Sequence, residues 1–135
     1  MKQIKLLSVT LLILFILSSC NKTPHDKLMG EWDVQKIENP QIEDSDIDAF
    51  NELNKDVLDN EVFNFTEEKI SKKFPEVAEG TWEMDEAGTM LTIDWGESDI
   101  MSPHTYTIKA LTNESLIIEE DFDDFIITTT FEKIK

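Results

Sequence analysis

Residues 28–37 read Leu-Met-Gly-Glu-Trp-Asp-Val-Gln-Lys-Ile. Gly30, Trp32 and Val34 fall on one face of an extended chain, and Glu31, Asp33 and Gln35 on the other. That period of two is the signature of a strand with one buried side. The pattern recurs down the chain. Residues 61–66 bring Phe63 and Phe65 together, and 69–74 set Lys72 between Ile70 and Phe74 on one face. Residues 80–85 pair Trp82 with Met84, and 89–95 align Leu91, Ile93 and Trp95. Residues 104–111 alternate Tyr106 and Ile108 with Thr105, Thr107 and Lys109; 115–120 follow, and 124–134 carry Phe125, Ile127, Thr129 and Phe131 at spacing two. Asp85-Glu86-Ala87-Gly88 is a hairpin turn signal. Eight strands are expected.

One segment has a different period. Residues 45–59 place Ile47, Phe50, Leu53, Val57 and Leu58 at helical spacing, with Ser45 as the expected N-cap and Asp48 three residues on. Short antiparallel strands with one apolar face need closure or a second sheet to hide their edges. The expected fold is therefore all-β: an eight-stranded antiparallel up-and-down barrel over residues 28–135, with one helix between strands 1 and 2. Such a barrel is just wide enough to be filled by side chains or to hold one small ligand.

Gly30-Glu31-Trp32 resembles the Gly-x-Trp of lipocalins, in which the Trp closes one end of a barrel. With Gly80-Thr81-Trp82, Leu91-Thr92-Ile93, Tyr106-Thr107-Ile108, Leu111 and Thr130-Phe131-Glu132-Lys133-Ile134, the chain is similar to small calycin-type, lipocalin-like lipoproteins of Bacteroidota. Lipocalins usually pack an Arg from near the chain end over that Trp, and this chain contains no Arg. Lys133 shares the Phe131 face and is either the substitute cation over Trp32 or a solvent-facing residue at the chain end. The resemblance implies binding of a small apolar molecule, and the helix sits where related barrels place a lid or portal.

Residues 1–19 read as a leader. Lys2 and Lys5 precede an apolar run from Leu6 to Leu17, about twelve residues against the ~20 that a spanning helix needs. A secretory signal peptide fits that order better than an anchor. Leu17-Ser18-Ser19-Cys20 resembles a bacterial lipobox, which implies cleavage before Cys20 and its acylation. Residues 20–27 then form the lipidated Cys and a polar tether. The tether lacks the acidic run resembling a surface-export signal in Bacteroidota lipoproteins, so a periplasm-facing outer-membrane location is expected.

Charge narrows the partners. Twelve Lys against 29 Asp and Glu give a net charge of −17, and cleavage would remove two Lys and no acid, leaving −19. Phosphate backbones need neutralising cations, so nucleic acid is excluded as a partner. A single Cys excludes disulfide scaffolds and Cys-based zinc sites. The chain is expected to act as a monomer, attached to the membrane through its N-terminal lipid.

Metal and catalytic motifs are weak. Asp44-x-Asp46-x-Asp48 begins like a calcium loop, but Ala49 stands where Gly is needed and Lys55 where the bidentate Glu belongs. Residues 119–124 form an acidic run that reads as a solvated turn. His25 and His104 do not make a transition-metal site. There is no Gly-x-Ser-x-Gly elbow and no phosphate loop. Neither metal, cofactor nor enzymatic activity is expected.

The aromatic stripe is the remaining candidate. Trp32, Phe63, Phe65, Trp82, Trp95, Tyr106 and Phe131 all fall on inward faces, as do Phe74 and Phe125. They make either a filled core or the lining of a cavity. In the second case Trp32, Trp82 and Trp95 would form a pocket wall, and Lys72 could meet a carboxylate head group or snorkel at the barrel mouth. The alternative to a ligand binder is a solid-core accessory module whose acidic surface docks a cationic protein.

Overall fold

A computed structural model describes residues 22–135; the leader, Cys20 and Asn21 lie outside the described residues. The chain order is α1 (Pro24–Leu28), β1 (Gly30–Glu38), a 3-10 turn (Asp44–Asp46), α2 (Ile47–Asn60), β2 (Val62–Phe65), β3 (Lys69–Lys72), β4 (Ala78–Met84) and β5 (Met90–Asp94), then a second 3-10 turn (Gly96–Ser98), β6 (His104–Leu111), β7 (Ser115–Asp121) and β8 (Ile126–Lys133). All eight strands pair antiparallel with their sequence neighbours, and β8 pairs with β1 to close the barrel. Closure leaves no unpaired sheet edge.

Parity decides what goes inside. Trp32, Val34, Phe63, Phe65, Ile70, Trp82, Leu91, Ile93, Leu116, Ile118 and Phe131 are buried in one core, and among the described residues no polar one is. Two bulges shift the alternation. One between Val34 and Lys36 turns Ile37 inward, and one between Ile108 and Ala110 does the same for Leu111. Gly80 is required by close approach: a Cβ there would lie 2.3 Å from the Asp94 carbonyl oxygen on the next strand.

The helix between β1 and β2 starts later than the sequence suggests. Its N-cap is Asp46 and no side chain caps it, because residues 44–46 wind into a 3-10 turn first. None of its residues is fully buried, and Leu53 is 83% exposed. Phe125, expected on the inward face, lies one residue before β8, in the 122–125 turn, where it stacks on Phe122 at 4.9 Å.

The end at which the chain enters β1 and leaves β8, here called the base, is firmly shut. Residues 24–27, which read as tether, form a capped helix together with Leu28: Thr23 Oγ1 accepts the Asp26 N–H, and the Asp26 carboxylate accepts the Thr23 N–H. Trp32 Nε1–H donates to the Leu28 carbonyl at 2.7 Å. Lys133 Nζ lies 4.9 Å from the Trp32 ring centroid and donates to the Lys27 carbonyl at 2.8 Å. Gly30, at φ +116°, makes room for it, since a Cβ there would meet Lys133 Cε at 3.2 Å. Lys133 therefore stands over the ring, as a cation would in place of the missing Arg.

Lys133→Met should remove both contacts and cost about 1–3 kcal/mol of unfolding free energy, measured by urea denaturation. Lys133→Arg should retain most of that stability.

Candidate functional site

The opposite end, the mouth, is built by α2 and the loops 73–77, 95–103 and 122–125. Below it the barrel is solid with Trp32, Phe65, Ile70, Leu91, Ile93 and Leu116, all under 2% exposed or at that value. Just inside the mouth the packing stops. A cavity of about 160 Å³ is lined by Val34 and Ile37 of β1, Val57 of α2, Glu61 and Phe63, Tyr106 of β6, Ile118 and Glu120 of β7, and Thr129 and Phe131 of β8. A second space, about 150 Å³, lies among Lys72, Ala78, Trp95, Ser98, Asp99 and the 75–77 loop. Phe63 of the first packs edge-on against Trp95 of the second, with centroids 5.7 Å apart.

The structure divides the aromatic stripe between the two ends. Phe63, Tyr106 and Phe131 line the larger of these cavities, and Trp95 and Lys72 the smaller. Trp32, Phe65 and Trp82 sit in the base. Trp82 Nε1–H donates to the Thr66 carbonyl at 2.9 Å, its ring meets Phe65 edge-on at 5.5 Å, and His25 of α1 covers it at 5.0 Å. Lys72 Nζ rests 4.7 Å from the Trp95 centroid.

Four polar residues complete the mouth: Glu61 and Asp99, which the sequence reading does not single out, and His104 and Glu120, which it takes as no metal ligand and as part of a solvated acidic turn. Glu120 shares the inward parity of Leu116 and Ile118, and Glu61 that of Phe63 and Phe65. The period of two contained both; their charge disguised them as surface. His104 Nδ1 lies 2.5 Å from Glu120 Oε1, and its Nε2 lies 2.7 Å from Asp99 Oδ2. Two ionised carboxylates only accept, so the ring must donate from both nitrogens as an imidazolium. Burial alone would lower its pKa, but the hydrogen bonds it donates to Glu120 and Asp99, with their charges, outweigh that and raise it. Asp99 is held below the usual carboxylate range by the Met101 N–H and by His104.

Glu61 has no such partner. Burial pushes its carboxyl up to about 7 from 4.5, against the weaker opposing pull of Lys72. Tyr106 is likewise raised, by burial first and then by the charges of Glu120, Glu61 and Asp99. Chemically, both nitrogens of His104 are occupied, so it offers no free lone pair to act as a base or a metal ligand. Among the described residues no three His, Cys, Asp or Glu side chains are placed to hold a metal ion.

No protein-family model and no curated protein sequence matches this chain. A solved structure does: the crystal structure of a lipocalin-like protein from Bacteroides uniformis, with a TM-score of 0.52 over 80% of this chain and 99% of that one. The fold is lipocalin-like. Sequence identity is 13%, so the likeness speaks for the lipocalin-like barrel alone. The closed eight-stranded barrel with its helix between the first two strands is that architecture.

The folded Glu61 carboxyl keeps its proton to about pH 7, whereas the unfolded one loses it near 4.5. Stability should therefore fall as pH rises through that window. The raised His104 pKa acts in the same sense, its contribution being complete below 6.5 and lost as pH rises through the higher folded value. Glu61→Gln should stabilise the protein by about 1–3 kcal/mol at pH 8 and leave it nearly unchanged at pH 4.5, as measured by urea titrations at both pH values.

Proposed function

We propose that this protein is a lipid-anchored, lipocalin-like carrier that binds a small apolar molecule under α2 and performs no catalysis. The observation that carries the reading is the asymmetry of the barrel. One end is filled, hydrogen-bonded and plugged, while the other keeps a cavity of about 160 Å³ roofed by a helix with no buried residue. An apolar cavity of about 150 Å³ is large enough to take up a molecule the size of benzene. A larger guest requires α2 to lift, and α2 resists little because it buries so little.

Native mass spectrometry of the protein purified from cells should show a reproducible adduct of about a few hundred daltons or less. Val57→Trp, which fills the cavity from the lid, should abolish the adduct while the melting temperature stays within a few degrees. A bare mass, unchanged after incubation with apolar metabolites, would favour the solid-core module that docks a cationic protein through its acidic surface.

Anchoring is part of the same proposal and rests on Leu17-Ser18-Ser19-Cys20. Cys20→Ala should release the protein from the membrane fraction and abolish acyl labelling. Retention of an unlabelled chain would restore the uncleaved-anchor reading.

A further inference from the structure

The charges around the mouth cavity lined by Phe63, Tyr106 and Phe131 do not cancel. Asp99, Glu61 and Glu120 bring three carboxylates to the mouth, and His104 and Lys72 two cations. His104 is spent between Glu120 and Asp99. Lys72 lies over Trp95 and lines the other space, and among the described residues it makes no ion pair within 4 Å. One carboxylate, that of Glu61, is left facing the cavity without a hydrogen bond from any described residue. The Tyr106 hydroxyl faces the same cavity, also without a partner among the described residues. The remaining wall is apolar except for Thr129 and Glu120, the latter bonded to His104.

We infer that the ligand of this cavity carries a single ammonium group on a small apolar body, with the ammonium paired to Glu61 and hydrogen-bonded to the Tyr106 oxygen. This rests on the binding reading above and names its head-group chemistry. A carboxylate head, which Lys72 would suit if it lined this cavity, would instead meet Glu61 and Glu120 as like charges in a site with few donors. A neutral alcohol would leave the half-buried carboxylate without a counter-charge beside it. An ammonium supplies both the missing charge and donors for two acceptors. It also offsets the burial that holds a proton on Glu61, so amine uptake is coupled to release of that proton below neutral pH. The groups facing Glu61 are Lys72 from β3, Tyr106 from β6 and Glu120 from β7; α2 contributes only the apolar Val57.

The test compares three six-carbon probes, hexylammonium, hexanol and hexanoate, by NMR titration of the purified protein at pH 8 and low ionic strength. Hexylammonium is expected to bind at least about tenfold tighter than hexanol, an interval of about 1.4 kcal/mol, with hexanoate the weakest. Glu61→Gln should collapse the amine-to-alcohol ratio towards one. Glu119→Gln, which removes the same charge from the outward face of β7, should leave the ratio unchanged. At pH 5.5 the amine preference should shrink in the native protein. Alcohol or acid binding as tightly as amine, or a ratio that survives Glu61→Gln, overturns the head-group assignment while leaving a binder. Failure of all three probes to bind at millimolar concentration overturns the binding reading itself.

Discussion

The rest of the structure depends on the way Trp32 is held. Its indole is wholly buried, its N–H is bonded to the Leu28 carbonyl, and the Lys133 ammonium stands over its ring. That ammonium also reaches the Lys27 carbonyl. A few contacts thus join the segment before β1 to the last residue of β8, across the seam where a barrel must close. Closure is what removes the last pair of exposed strand edges. The seam also carries a bulge, which lets β1 turn Ile37 back towards the interior after Val34.

With the base sealed by large side chains, the space that Phe63, Tyr106 and Phe131 line inside the barrel lies towards the mouth. The same geometry explains where the polar groups went. Among the described residues no charged one is fully buried, yet Glu61, Glu120 and His104 all lie part-way down the inner wall. Near the mouth a carboxylate can keep partial hydration or find a cation; deeper, among Leu91, Ile93 and Leu116, it would find neither. The inner wall therefore grades from dry and solid to wet and hollow along its length.

Much of this was legible in the sequence because strands announce themselves by parity. The alternation around Trp32, Phe63, Trp82, Leu91 and Phe131 gave the right inward faces, and the period change at residues 45–59 gave α2. What stayed hidden follows from physical causes. Glu61 and Glu120 obey the inward parity, but a carboxylate on a strand ordinarily signals the solvent face. Lys72 has inward parity too, yet whether it serves a ligand or an aromatic neighbour depends on where Trp95 lands. The 24–28 segment is polar and short, and a five-residue helix is stable only because its cap and the barrel base receive it.

α2 spans fourteen residues and packs on β1 without burying any of them. Its persistence depends on its own backbone propensity far more than the barrel's does. Exposed positions such as Asn51 can thus change how long the helix stays formed without altering a core contact. In the carrier proposed above, helix opening would set how fast a guest escapes, while the barrel sets how well the protein survives. Under that proposal residence time and durability are two separately adjustable properties, and selection can move one without moving the other.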